Sequence, residues 1–272
     1  MQEIITSDKN SKIKFLKKLY KKKYRKKQGK YILEGYRIIV EALRAGADFD
    51  SLYFSPDFYN SDSGNQILDL LKNSQFYNKK IKPIVIDEKL MVNITDTDTP
   101  QGIIAAVNEN NYKTEDIFDK SDVILLIDRI QDPGNMGTII RTAVAAGVEG
   151  LIILKGSVDI YNLKVLRATM GAIFNIKFIK DVSLSNFFSL YRVYNDRYRL
   201  IAADLSADTY YDRMNYGNRV ILAAGNEGNG LCREILEAAD KRVKIPIIGD
   251  IESINVAVAT GIILYDILRK RN

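Results

Sequence analysis

Three stretches of this chain gather residues with polar chemistry, and each follows a run of strand-forming residues. The first, Asp128 to Thr142, reads DRIQDPGNMGTIIRT. Pro133, Gly134, Asn135 and Gly137 make a tight turn feeding a helix, and Arg141 lies about one turn in. Asn135 and Arg141 could then share a cleft mouth with the free N–H groups of a helix N-terminus, which suit a phosphate. The same residues also read as an ordinary strand-to-helix turn, with Asn135 as N-cap and Arg141 on the surface. The second, Val220 to Leu231, reads VILAAGNEGNGL. Gly225, Gly228 and Gly230 would let a ligand approach the main chain closely, or simply form a flexible turn with Glu227 exposed. The glycine order is not G-x-G-x-x-G, and Glu227 would repel a phosphate; a carboxylate suits a cation or a sugar hydroxyl better. The third, Lys244 to Ala259, reads KIPIIGDIESINVAVA. Ser253 is a good N-cap for a closing helix. Asn255, set among Ile254, Val256, Val258 and Ala259, is expected near a buried wall, where its amide needs partners.

Composition restricts the chemistry further. The 272 residues include no histidine and one cysteine, Cys232. That excludes histidine triads, Cys-His pairs, an internal disulfide and a Cys/His zinc site, and no metal is expected. Catalysis must use carboxylates, amides, hydroxyls, lysines, arginines or a reactive co-substrate. No stretch approaches the roughly 18 continuous apolar residues of a membrane span, and the N-terminus lacks a signal-peptide core. The expectation is a soluble cytoplasmic protein with no membrane partner. The net charge of +6 is concentrated near the start, with no acidic residue between Lys9 and Lys30. Lys12, Lys17, Lys21, Lys22, Arg25 and Lys26 in this block would attract a polyanion, and Tyr20, Tyr24 and Tyr31 could stack on bases. A solvated amphipathic helix reads the block equally well, since Ile13, Leu16, Tyr20 and Tyr24 share one helical face.

The elements that must position these residues form two α/β regions. After the basic helix, 31–45 is predicted as a second helix closed by Gly46, 52–54 as a strand, 65–71 as a helix, and 83–86 and 102–107 as strands. This is the pattern of a small α/β sandwich over 1–108. The polar segment 109–121 reads as a linker. In 122–272, apolar strand-like runs at 123–127, 151–154, 176–179, 200–203, 220–224 and 243–247 alternate with helical patterns. They predict a mostly parallel sheet flanked by helices, with ligands beyond the strands' carboxyl ends. A helix over about 253–268 closes the chain, its final basic residues complementing the helix dipole.

Taken together, the three motifs resemble the SpoU (TrmH-like) branch of the SPOUT RNA methyltransferases. That branch carries N-x-G-x-x-x-R-T, G-x-E-x-x-G-L and I-P-x…S-L-N-V-x-x-A; here they stand as Asn135–Thr142, Gly225–Leu231, and Ile245–Pro246 through Ser253–Ala259. Ile254 replaces the usual leucine, a volume-conserving change. RATMGAIF, Arg167 to Phe174, is similar to the family's helix between motifs. The first region, with DTDTPQGIIAAV from Asp96 to Val107, is similar to the family's accessory domain of ribosomal protein L30e-like fold, which binds RNA.

The resemblance implies a deep trefoil knot in the C-terminal domain and a homodimer that completes the active site across its interface. It implies S-adenosylmethionine as co-substrate, held by main-chain groups at Gly225, Ile245 and Ile254 with Ser253 in support. It also implies ribose 2′-hydroxyl methylation, in ribosomal RNA before transfer RNA, by Asn135, Arg141, Glu227 and Asn255. A guanidinium is effectively always protonated, so the reading gives Arg141 an adjacent phosphate rather than the hydroxyl proton. Glu227, Asn135 and Asn255 then orient the ribose. The rivals are a catalytically silent RNA-binding or assembly factor, which would be expected to lose one of the matched polar residues, and a dinucleotide oxidoreductase, which the missing glycine fingerprint disfavours.

Overall fold

In the computed structural model, residues 4–73, 81–97 and 99–271 are described. The chain divides into one unit of Met1–Asn110 and Tyr161–Phe174 and another of Asn111–Ile160 and Asn175–Asn272.

In the first unit the basic stretch forms two helices, not one. The Asn10 side chain caps Ser11–Leu19, and a second helix spans Lys22–Gln28. The break between them strands helix-end carbonyls that need donors, and Arg25 supplies them. Its guanidinium is buried and donates to Leu19 O at 3.0 Å and Tyr20 O at 2.8 Å. Arg25 therefore serves the fold, which corrects its expected place on an RNA-facing surface. Strand β1 is Lys30–Glu34, where a helix over 31–45 was expected, and only Tyr36–Arg44 is helical. Between them Gly35 turns the chain at φ +97°. Strands β2 (Phe49–Phe54), β3 (Ile84–Val85) and β4 (Ile103–Asn108) complete a sheet of order β1-β4-β2-β3. β4 is antiparallel to β1 and β2, and β3 joins β2 in parallel. Ile13, Leu16, Leu19, Ile32, Met91 and Ile104 form a buried cluster in this unit.

The second unit carries β5 (Val123–Ile127), β6 (Gly150–Leu154), β7 (Lys177–Val182), β8 (Arg199–Ala203), β9 (Thr209–Tyr210), β10 (Val220–Ala224) and β11 (Lys241–Lys244). Every pairing among these described strands is parallel, in the order β7-β6-β5-β10-β8-β11-β9. Burial on both faces explains the continuous apolar runs. Ile124, Leu126, Ile221 and Ala223 join one core cluster, while the alternate residues Leu125, Ile127, Leu222 and Ala224 are also buried. The helices Pro133–Ala145 and Val256–Arg271 pack against each other. β10 lies directly beside β5 although β6 to β9 intervene in sequence. Order reversals of this kind open a crevice at the strands' carboxyl ends.

The polar segment 109–121 is not simply a connection. It contains a helix, Thr114–Phe118, held by Asp116 accepting from Lys113 N at 3.1 Å. Ile117 and Phe118 are fully buried in the core of the second unit, and Phe118 stacks on Tyr194 at 4.4 Å. Replacing Phe118 with alanine should destabilise the protein by about 3–5 kcal/mol, read as an earlier urea-unfolding midpoint. An unmoved midpoint would return this segment to the role of linker.

Candidate methyl-transfer site

The three polar segments all leave the carboxyl ends of parallel strands: the first from β5, the second from β10 and the third from β11. The first two are joined at their base. Asp128 N donates to Ala224 O at 2.9 Å, extending the β5–β10 ladder by one bond. The buried Asp128 carboxylate then takes Cys232 N at 2.7 Å and a two-point contact from Arg129. Arg129 sits at φ +57°, donates to Gly230 O at 3.3 Å, and its own carbonyl accepts from Asn226 Nδ2 at 2.9 Å. Gly225 is required as glycine by its own loop. A Cβ there would lie 2.3 Å from the main chain of Gly230 and Leu231.

Above this base, three side chains from three segments form one relay. Glu227 accepts from Gln131 N at 3.2 Å, Asp132 N at 3.0 Å and Asn135 Nδ2 at 3.1 Å. Asn135 Oδ1 accepts from Asn255 Nδ2 at 2.8 Å, and Asn255 Oδ1 accepts from Ala257 N at 2.9 Å and Val258 N at 3.3 Å. The chemistry fixes both amide orientations. An ionised carboxylate only accepts, so Asn135 must turn its NH₂ toward Glu227; helix N–H groups only donate, so Asn255 must turn its oxygen to them.

The capping roles differ from those expected. Asp132 caps Pro133–Ala145 by accepting from Asn135 N at 2.7 Å, which frees the Asn135 side chain for the relay. Asn255, not Ser253, holds the first turn of the closing helix. It is exposed rather than set in a buried wall, although its amide has the partners expected of it. Asp128, Arg129 and Asp132 were not singled out in the sequence; the only signal for Asp132 is a good capping residue directly before a proline.

Burial raises the Glu227 pKa, but the N–H donors of Asp132, Asn135 and Gln131 outweigh it, so the carboxyl sits below its ordinary 4.5. Glu227 is therefore an anion at neutral pH. Arg141 stands six residues beyond Asn135 in the same helix, roughly 9 Å along the axis and well around from it. It is exposed, and no described residue gives it a hydrogen bond or an ion pair.

A cavity of about 260 Å³ adjoins the relay and is lined by Gly225, Glu227, Ile245, Ser253 and Ile254. Leu205 and Thr260, not anticipated from the sequence, also line it. Its wall combines main chain, aliphatic side chains and the carboxylates of Asp204, Glu227 and Glu252, with Lys244 as the one cationic side chain among its lining residues. Such a wall suits a largely uncharged ligand carrying a local positive charge, as S-adenosylmethionine does with its adenosine and sulfonium.

Residues 122–265, more than half of the chain, match the model of the SpoU rRNA Methylase family. The chain belongs to that family. Alongside the SpoU match, residues 10–105 match the MRM3-like substrate binding domain. This SpoU protein is 31% identical over 261 residues to the 23S rRNA (guanosine(2553)-2′-O)-methyltransferase RlmP of Bacillus subtilis, covering 96% of this chain and 97% of that protein. It is 29% identical to the mitochondrial rRNA methyltransferase 3 of Mus musculus, over 89% of this chain and 68% of that one. Among solved structures, the AdoMet-bound rRNA methyltransferase from Sinorhizobium meliloti matches with a TM-score of 0.85 at 29% identity, covering 98% of this chain and 97% of the other.

Glu227 makes a testable contribution to stability. Its pKa is depressed in the folded state, so its stabilising effect is present above 4.5 and is lost as the pH falls through that value and below. Glu227→Gln should therefore flatten the fall of the melting temperature on the acid side, and parallel curves for the two proteins would refute the clamp.

Proposed function

We propose that this protein methylates the 2′-hydroxyl of one ribose in ribosomal RNA, using S-adenosylmethionine bound in the cavity beside the relay and acting as a homodimer in the cytoplasm. The observation that carries this reading is the bonding of Asn135, Glu227 and Asn255 into one network against that cavity. The activities of the bacterial and mitochondrial relatives support it. A catalytically silent factor has no need of three converging polar side chains. The family's knot belongs to this reading too, and the insertion of β10 between β5 and β8 is compatible with it.

The bound co-substrate supplies a methyl on a sulfonium, a group that departs as a neutral thioether. The protein has to align the ribose oxygen with that methyl, and positioning of this kind removes roughly 7–11 kcal/mol of a barrier. Asn135 and Asn255 are suited to the task because their amides are already fixed, each with a second N–H that its relay bond does not use. Glu227 is a poor base at neutral pH, because its carboxyl is held ionised by four nitrogen donors, the fourth being Asn226 Nδ2 at 3.3 Å. Its role here is to lock Asn135 and to place a negative charge near the sulfonium. As the oxygen–methyl bond forms, the hydroxyl proton passes to water.

Arg141, without a partner among the described residues, clamps the phosphate beside the target ribose. Its distance from the relay favours a dimer in which it serves the second copy's site. Exposed Ile248, Ile251, Val258 and Tyr265, on the third segment and the closing helix, offer apolar surface for such an interface.

Incubating the protein with an unmodified large-subunit rRNA transcript and radiolabelled S-adenosylmethionine, then mapping ribose methylation, tests the activity; no incorporation would refute it. Arg141→Lys should lower kcat/KM for RNA by about 10- to 100-fold, the worth of a charge-assisted bond, while S-adenosylmethionine binds as before. Near-normal turnover would exclude a two-point phosphate clamp.

A further inference from the structure

A cavity of about 350 Å³ lies within the first unit, and no residue of the relay lines it. It is lined by the turn after β1, by Thr95, Thr97, Thr99 and Gln101, and by the helix Leu163–Thr169 with Met170 at its end. Its floor is Glu34, whose side chain is 3% exposed. Glu34 Oε1 accepts from the Tyr20 hydroxyl and from Asp96 N at 3.0 Å. Burial, with the Glu34 charge adding to it, pushes the Tyr20 hydroxyl well above its ordinary range, so it stays a neutral donor. Glu34 Oε2 faces Arg167 Nη1 at 3.7 Å, and neither atom has a hydrogen-bond partner although both are buried. Buried charged atoms short of hydrogen bonds are rare and unfavourable. The floor is thus short of one donor at the carboxylate and one acceptor at the guanidinium.

The wall carries a second anomaly. Met170 closes the Leu163–Thr169 helix in the left-handed conformation, at φ +51°, where glycine would be relaxed. Its side chain nonetheless lines the cavity and is 55% exposed. A strained residue that keeps an exposed thioether is better explained by a contact than by folding. Thioethers pack well on flat aromatic rings.

Charge narrows the ligand. Arg167 is offset by Glu34 and by Asp96, the latter 3.4 Å away, which leaves Arg37 as the one unbalanced cation among the lining residues. The floor itself therefore has no excess positive charge to hold a phosphate. A flat, neutral ring with a donor beside an acceptor on its edge fits better. Arg37 is exposed with no partner among the described residues, free to meet a phosphate attached to that ring. Tyr20 links the floor to the helix break, where Lys21 and Lys22 are exposed.

We propose that this cavity receives a single unpaired nucleobase of the RNA, its edge completing Glu34 and Arg167 and its face lying on Met170. The proposal rests on reading RNA as the substrate.

The test uses the full chain and the unmodified large-subunit rRNA transcript, with affinity measured across a salt series. Met170→Gly relieves the backbone strain, so it should melt no lower than the wild type yet bind the transcript about tenfold more weakly, with an unchanged salt slope. Arg37→Ala should weaken binding and reduce the salt slope by about one phosphate. Wild-type affinity in both variants, or no binding of the transcript by the unaltered protein, would overturn the cavity assignment. Variant-sensitive binding without any methyl transfer would instead overturn the proposed activity and leave the cavity standing.

Discussion

The second unit's polar apparatus depends on one line of hydrogen bonds running from a helix N-terminus, through two amides, to a carboxylate. Each member is polarised in the same sense. The N–H groups of Ala257 and Val258 draw on the Asn255 oxygen and strengthen its NH₂ as a donor; the Glu227 anion draws on the Asn135 NH₂ and strengthens that oxygen as an acceptor. Bonds arranged head to tail polarise one another, and here they do so at a surface where Glu227 and Asn255 are exposed. The loops can hold such a line because their bases are tied, with β5 and β10 neighbours in the sheet and Asp128 bridging from one to the far end of the other's loop.

This arrangement explains the division of residue types. Side chains of the relay are satisfied largely by main-chain groups and by each other, so they keep their geometry without a ligand. The adjoining cavity is walled by glycine, aliphatics and carboxylates. A site of that composition discriminates by shape and by sign of charge, with little use for lysine or histidine.

Much of this was legible in the sequence. Runs such as Val123–Ile127 and Val220–Ala224 are apolar at every position, which only a sheet covered on both faces tolerates, and the polar motifs stand immediately after them. The capping roles were not legible, because Asp, Asn and Ser are nearly equivalent N-caps; whether Asp132 or Asn135, and Ser253 or Asn255, takes the role is settled by partners distant in sequence. Residues 31–34 read as helix until β4 is known to lie beside them. Thr114–Phe118 is too short for a period to show. Arg25 looks like any other cation in its block, and only the break at Tyr20 and Lys21 calls it inward.

Arg141 differs from the relay in having no described residue to hold it. Its guanidinium projects into solvent from a rigid helix, and its resting geometry is set by no neighbour among the described residues. On the proposed reading, in which Arg141 meets a phosphate, ordering so flexible a side chain carries an entropic penalty that falls on the moment of RNA capture. Fidelity on this account is a matter of timing as well as fit. A strand that presented its sugar but left the arginine unengaged would, on that reading, find the template ready and depart before the methyl was delivered.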